Sequence, residues 1–398
     1  MRPATSNNIL PEPPEELKLL SMELAGRIRE EIEQEGPIPF SRFMEMALYE
    51  PGLGYYSAGL QKFGEGGDFV TAPQLGNVFA CCLANQVGQV GAELGDYEII
   101  EAGAGSGILA ADLLKALQDE YPPQRYRILE RSAHLRQVQK ETLEKHVPEW
   151  KDRISWLDEP PNIGWQGVFL ANEVLDALTV ERFCIESDGP RQMRVTEGND
   201  GFEWFKTSCP EKMKEQLVNV LSGLDHHPAT GYCSEINTSL PAWLQAVTTG
   251  MQKGLALFID YGYTRHDYYV PQRSDGTLIC HYQHRAHADP FKWPGLTDIS
   301  ASVDFTALAE AADICGLEVS GYATQAMFLM ASGLDKVLAG LELLADRDRL
   351  NLNNQVLRLT LPGEMGERFQ VMALSRGLAE ELAGDLAGFS LGDLCHRL

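Results

Sequence analysis

The sequence predicts an α/β protein: a mostly parallel, Rossmann-like sheet covered by helices on both faces, with an N-terminal helical extension and an insert between strands four and five. Three observations predict it. From residue 97 onward, short apolar runs alternate with stretches of helical periodicity, as expected for strands buried on both faces. The first of these runs leads straight into a turn that holds three glycines. The residues before it carry helical spacing and loops instead.

In chain order, residues 1–14 are polar and proline-rich and are expected as a loose tail. Leu17, Leu20, Leu24, Ile28 and Ile32 recur at helical spacing until Gly36-Pro37 stops them. Residues 40–48 and 78–90 read as further helices. Between them, residues 50–77 form a glycine- and aromatic-rich loop of the length that is usually functional or disordered. Strands are then expected at 97–100, 126–129, 154–157, 167–171 and 254–259, with helices marked by Leu109, Leu113 and Leu117 and by residues 133–145. The insert, 177–253, holds strand-like 180–185, 193–196 and 201–205 followed by helical segments, and a second irregular stretch runs over 263–300. Residues 328–330 and 369–374 are expected to complete the sheet. The domain reading is an extension over 1–95, a core over 96–375 carrying the two inserts, and a tail over 376–398.

Composition narrows the function. The 398 residues are 44% hydrophobic and 23% charged, values of an ordinary globular chain able to bury a large core. A formal net charge of −24, with no Lys/Arg cluster, argues against nucleic acid, whose binding needs a basic face. Solubility alone accounts for the charge first, and it also suits a basic protein segment as partner. Apolar runs are too short to span a membrane, and the first residues lack a leader pattern, so a cytoplasmic location is expected. Eight cysteines without a C-x-x-C pair fit reduced thiols rather than a disulfide framework.

The strongest local signal is Glu101-Ala102-Gly103-Ala104-Gly105-Ser106-Gly107, between a strand and a helix. Glycines there let the backbone turn sharply and approach a ligand closely. A dinucleotide loop has G-x-G-x-x-G, but here the third glycine comes one residue early and Ile108 fills the dinucleotide position. The compact G-x-G-x-G after an acid suits S-adenosyl-L-methionine, which brings an ammonium, a carboxylate and a sulfonium but no phosphate. Glu101, Gly103, Gly105 and Gly107 are therefore cofactor-binding candidates. Glu130, at the end of the second strand, joins them, because a carboxylate there can accept both ribose hydroxyls.

The fourth strand runs into Ala171-Asn172-Glu173-Val174-Leu175-Asp176. Asn172, Glu173 and Asp176 are the catalytic candidates, placed to orient a nitrogen acceptor beside the transferring methyl. For Asn172 a helix cap is the competing reading. Asp260 closes the fifth strand on the same rim, where a structural turn serves as well, and Tyr55, Tyr56 and Tyr261 are candidate pocket walls, with a place in the core as the alternative. Cys280, His281, His284, His287 and Asp289 lie close together, but their spacing matches no zinc pattern, so no metal is expected.

Longer ordered matches resemble the MidA-like family of S-adenosylmethionine-dependent methyltransferases. They include Gly36-Pro37-Ile38-Pro39-Phe40, Ala47-Leu48-Tyr49-Glu50-Pro51-Gly52-Leu53-Gly54-Tyr55-Tyr56 and Gly67-Asp68-Phe69-Val70-Thr71-Ala72-Pro73. Ala171-Asn172-Glu173 with Asp176-Ala177-Leu178, Ile259-Asp260-Tyr261-Gly262, Val303-Asp304-Phe305 and Pro362-Gly363-Glu364-Met365-Gly366-Glu367 continue the series. The resemblance runs from about residue 17 to 375. It implies a class I methyltransferase sheet, cofactor contacts at 101–107 and Glu130, and an arginine of a protein as acceptor. One mitochondrial member aids assembly of respiratory complex I, so a respiratory-complex subunit is a candidate partner. The family pattern has serine and glutamate where this chain has Ala72 and Gln74, and often arginine where Ser106 stands. An assembly chaperone that binds cofactor without turnover, and a nicotinamide dehydrogenase, are the rival readings. Oligomeric state is not legible.

Overall fold

The computed structural model describes residues 10–59, 71–339 and 346–398. The start of the expected N-terminal tail lies outside them, and so do Gly67, Asp68, Phe69 and Val70 of the glycine-rich loop. The chain divides into two compact units, one of residues 1–70, 177–239 and 269–301, the other of 71–176, 240–268 and 302–398.

The second unit is built on an eight-stranded sheet. Its strands are β1 (Glu98–Ala102), β2 (Arg125–Leu129), β3 (Ile154–Leu157), β4 (Trp165–Asn172), β5 (Met251–Tyr263), β6 (Val303–Asp304), β7 (Glu318–Thr324) and β8 (Phe369–Arg376). The spatial order is β7-β8-β5-β4-β1-β2-β3, with β6 against the end of β5. Neighbours from β5 to β3 pair in parallel, while β8 is antiparallel to both β5 and β7. The chain leaves β1 toward β2 and β3, then returns to lay β4 on the other side of β1. Strand order therefore reverses between β1 and β4, the point at which a crevice opens beyond the strand ends.

Helices α1 (Val78–Leu94), α2 (Ile108–Leu117), α3 (Ala133–His146), α4 (Leu240–Thr248), α5 (Phe305–Ile314), α6 (Gln325–Ala331) and α7 (Asp346–Thr360) belong to this unit. Leu109, Leu113 and Leu117 of α2 and Phe79, Leu83 and Val87 of α1 form one buried cluster with Ile99, Ile128, Val168, Leu170 and Leu257 of the sheet. Phe169 and Phe258 turn to the opposite face and meet Trp243 of α4 with ring centroids 6.5 and 6.2 Å away. Hydrophobic burial on this scale, at about 25 cal/mol per Å², is the main force holding the layers.

Expectations for this unit need correction at three points. Phe328, Leu329 and Met330 are not a strand: they lie in α6, whose N-cap Thr324 accepts the Met327 N–H on its Oγ1 at 3.3 Å. Three good helix formers, Gln325, Ala326 and Met327, follow the cap, and a helix wins over a short apolar run. Strand β7 was unexpected. The residues from 376 on, expected as a tail, bury Leu386 and Phe389 in the core, and α1, expected within the N-terminal extension, packs in this unit.

The first unit holds the helices Glu15–Glu35 and Phe40–Tyr49 and two small sheets. One runs Ile38–Pro39, Gly189–Gly198, Glu181–Glu186, Cys233–Ile236, with Gly201–Ser208 also on Gly189–Gly198, every pair antiparallel. The other is Arg285–His287, Ile279–Tyr282, Asp298–Ser300. Leu24, Ile28 and Ile32 of the first helix, Phe40 and Phe43 of the second, and Val180, Val195 and Ile299 share its core. Tyr55 belongs to that core, and the Tyr56 hydroxyl donates to Asp298 at 2.9 Å.

Candidate functional site

The glycine turn leaves β1 at the strand-order reversal. Gly103 and Gly107 have φ of 63° and 79°, the left-handed region that glycine enters without a Cβ penalty. A Cβ on Gly103 would sit 3.1 Å from the Val174 side chain, and one on Gly107 would sit 3.1 Å from Gln139 Cα. Gly103 donates its N–H to Leu129 O at 3.1 Å, which pins the turn to the end of β2. The loop is thus pressed between the segment after β4 and helix α3.

Glu130 follows β2 directly. Its Oε1 accepts the Ser132 N–H at 2.9 Å, and its Oε2 accepts from the Gln139 amide at 3.1 Å. Burial pushes its pKa up, against these two bonds, the Arg131 N–H and the Arg136 charge, which pull it down. Ser132 caps α3 by accepting the Leu135 N–H, so the same short turn fixes both the acid and the helix.

Glu101 lies elsewhere than a loop acid would. It is 2% exposed within β1, and its Oε2 accepts the Tyr126 hydroxyl at 2.7 Å. Burial raises its pKa to about 7, opposed by the Tyr126 bond and reinforced by the charge of Glu130.

The segment after β4 gathers the acids. The Glu173 N–H bonds Ile259 O at 2.8 Å, the last ladder bond between β4 and β5. Glu173 itself takes φ 53°, a strained value for a non-glycine residue. Beyond it, Asp260 Oδ2 accepts three successive backbone N–H groups, from Val174 at 3.1 Å, Leu175 at 2.9 Å and Asp176 at 3.1 Å. Its Oδ1 accepts from Tyr261 at 2.9 Å. Asp260 is 1% exposed, and burial, then the charges of Asp176 and Glu173, hold its pKa well above the usual carboxylate range. Burial likewise lifts Glu173 to about 8, with Asp176 adding to the rise and the Asn172 side chain and Ala72 N–H opposing it. Asn172 Nδ2 donates to Glu173 Oε1 at 3.1 Å, while Asn172 Oδ1 is buried without a hydrogen-bond partner among the described residues.

The structure therefore brings the sequence candidates into two adjoining groups. Gly103, Gly105, Gly107 and Glu130 surround one side, Asn172, Glu173 and Asp176 the other, and Val174 touches the Gly103 turn. These features fit a nucleoside cofactor that carries an amino-acid tail. The glycines let the turn pack tightly against Val174 and Gln139, and Glu130 offers acceptors for hydroxyls. Asp260 acts as the turn's anchor, the structural alternative of its sequence reading. Gln139 was missed. Its signal was a polar residue in the stripe Leu135, Gln139, Leu143, all buried on α3.

Tyr261 packs its ring against Phe369 at 5.7 Å. Cys280 and His287 are paired across the small sheet of the first unit, and burial lowers the His281 pKa to about 4. Among the described residues no three His, Cys, Asp or Glu groups could hold a metal ion, and no helix is long and apolar enough to cross a membrane.

Comparison with known proteins bears on this site. Residues 78–323 match the family model described as "Putative S-adenosyl-L-methionine-dependent methyltransferase". The Drosophila melanogaster protein named "Protein arginine methyltransferase NDUFAF7 homolog, mitochondrial" is 28% identical, over 89% of this chain and 85% of its own. The Rattus norvegicus "Protein arginine methyltransferase NDUFAF7, mitochondrial" is also 28% identical, over 94% and 86%. A crystal structure from Burkholderia thailandensis, bound to S-adenosyl-homocysteine, superposes with a TM-score of 0.90 at 40% identity, covering 98% of this chain and all of that one. The curated relatives carry mitochondrial names, which overturns the cytoplasmic placement expected from the first residues. Polar, acidic residues at the start of a sequence do not by themselves select a compartment.

Proposed function

We propose, from the premise that this chain belongs to the S-adenosylmethionine-dependent methyltransferase family, that it methylates a guanidinium nitrogen of an arginine in a protein. The fold is an α/β methyltransferase fold, the chain is a methyltransferase, and S-adenosylmethionine is its cofactor. The arginine acceptor is our reading, supported by the names of the curated relatives and carried by one observation. Three carboxylates, Glu173, Asp176 and Asp260, lie together at the ends of β4 and β5 with burial raising the pKa of Glu173 and Asp260. Such a group is relieved by a cation rich in N–H donors.

S-adenosylmethionine, when bound, supplies an electrophilic methyl on sulfur. Gly103, Gly105 and Gly107 would hold its amino-acid end near β1, and Glu130 its ribose; Glu101, through Tyr126, would hold the strand end in place. An arginine side chain has a pKa of about 13, so a neutral acceptor at pH 7 would cost about 8 kcal/mol at 1.36 kcal/mol per unit. The acids avoid this cost. Glu173 accepts a guanidinium N–H, turns one nitrogen outward, and takes the proton that the nitrogen loses as it gains carbon. Burial favours the protonated acid in the free chain, and the positive charge of a bound guanidinium draws Glu173 back to the carboxylate that accepts the proton. Asn172 Oδ1 supplies a further acceptor for the same group.

The acceptor protein that we favour is a respiratory-complex subunit, and we read 177–253 and 263–300 as inserts into a core spanning 96–375. Mass spectrometry of cellular proteins tests the reaction. Arginine methylation should be present with the wild-type chain and absent with Glu173→Gln. Methylarginine that is indifferent to Glu173, or product found only on lysine or a small molecule, would overturn it.

A further inference from the structure

Gln139 is fully buried on α3, where its neighbours in the stripe are leucines. Its Oε1 accepts the indole N–H of Trp156 at 2.9 Å. An indole nitrogen can only donate, so the orientation of the amide is settled: its oxygen faces Trp156 and its NH2 faces away. The two amide hydrogens then have two acceptors, Gly105 O at 3.1 Å and Glu130 Oε2 at 3.1 Å. Every polar capacity pointing inward is used. One end of this bridge is the carbonyl of the cofactor turn and the other is the acid after β2. Gly107, whose Cβ would press on Gln139 Cα at 3.1 Å, allows the helix to come this close.

We propose that Gln139 is a positioning residue for cofactor recognition: by tying the Gly105 carbonyl to Glu130, with Trp156 fixing its amide, it sets Glu130 for the ribose hydroxyls. The inference rests on the reading of Glu130 as the ribose acceptor. Two consequences follow from the bond geometry. Glu130 is held on both oxygens, by Ser132 and by Gln139, so its carboxylate plane is fixed before a ligand arrives. The Gln139 bond also favours the ionised carboxylate against burial, and an ionised carboxylate accepts from two hydroxyls where a protonated one would have to donate.

The test is calorimetric binding of S-adenosyl-homocysteine and of its 2′,3′-dideoxy analogue to the full chain, in wild type, Glu130→Gln, Gln139→Met and Trp156→Phe. Wild type should prefer the ribose form. Gln139→Met should weaken S-adenosyl-homocysteine about tenfold, the scale of one hydrogen bond to a charged group, and leave the dideoxy analogue unchanged. A merely structural role would weaken both ligands alike. Trp156→Phe, which removes one N–H from a half-buried ring, should move in the same direction by less and serves if Gln139→Met does not fold. If Glu130→Gln loses the ribose preference while Gln139→Met and Trp156→Phe keep it in full, the positioning role is overturned and the ribose reading stands. If Glu130→Gln keeps the preference, the ribose reading falls, and the role of Gln139 with it.

Discussion

Asp260 Oδ2 accepts the Leu175 N–H at 2.9 Å, and the N–H groups of Val174 and Asp176 converge on the same oxygen. One carboxylate on β5 therefore shapes the backbone that presents Glu173 from β4. Replacing it by Asn puts either an NH2 or an uncharged oxygen before three donors. Leaving a buried donor unmade costs about 1–3 kcal/mol, so Asp260→Asn should lose about 3 kcal/mol in urea unfolding. A loss below about 1 kcal/mol would show that the turn holds without this anchor.

Glu173 links pH to stability. Its pKa rises from 4.5 to about 8 in the fold. Between those values the folded chain holds a proton that the unfolded chain has lost, so the contribution of this group to stability falls as pH climbs from 4.5 to 8 and is level beyond. Glu173→Gln removes the group. Relative to wild type, the variant should gain stability steadily over that window. Urea midpoints at pH 5, 6, 7 and 8 measure it, and two curves that stay parallel would refute the raised pKa.

Gly105 has φ 52°, where a side chain is strained, and a β-branched one most of all. Gly105→Val should keep the far-ultraviolet dichroism of the fold yet lose the thermal shift given by S-adenosyl-homocysteine, with affinity down at least a hundredfold. A folded variant that binds as wild type does would remove the glycine turn from the cofactor site.

Much of the core sheet was legible because burial on both faces leaves a plain mark: runs such as Val168-Phe169-Leu170-Ala171 have no polar alternation to confuse with anything else. Strand β7 lacked that mark. It contains Ser320 and Gly321, a register shift falls between Val319 and Gly321, and Gly321 is there because the Phe389 ring lies 2.4 Å from where its Cβ would be. No reading of residues 318–324 alone reveals Phe389. The site shows the same division. Gly103, Glu130 and Glu173 follow from their places after strands, but the roles of Gln139 and Asp260 depend on what faces them, Trp156 and the 174–176 backbone. Gln74, a departure from the family's glutamate, is accommodated locally: its Oε1 accepts the Thr71 N–H at 3.4 Å, a capping contact that Gln makes as Glu does.

Asn172 separates catalysis from stability. Its Oδ1 is buried without a hydrogen-bond partner among the described residues, so the fold gains nothing from that atom and carries its desolvation. Its Nδ2 makes one bond, to Glu173. Asn172→Ala deletes an unmet acceptor along with one ordinary bond, and these changes oppose each other. Unfolding free energy should stay within about 1 kcal/mol of wild type. Methyl transfer should not stay, because the acceptor's N–H groups lose an oxygen placed in a dry site. A drop of about 100-fold in kcat/KM is the scale for one such group. The two measurements must diverge: full activity in a stable Asn172→Ala protein would deny Asn172 any part in holding the acceptor, whatever the acids do.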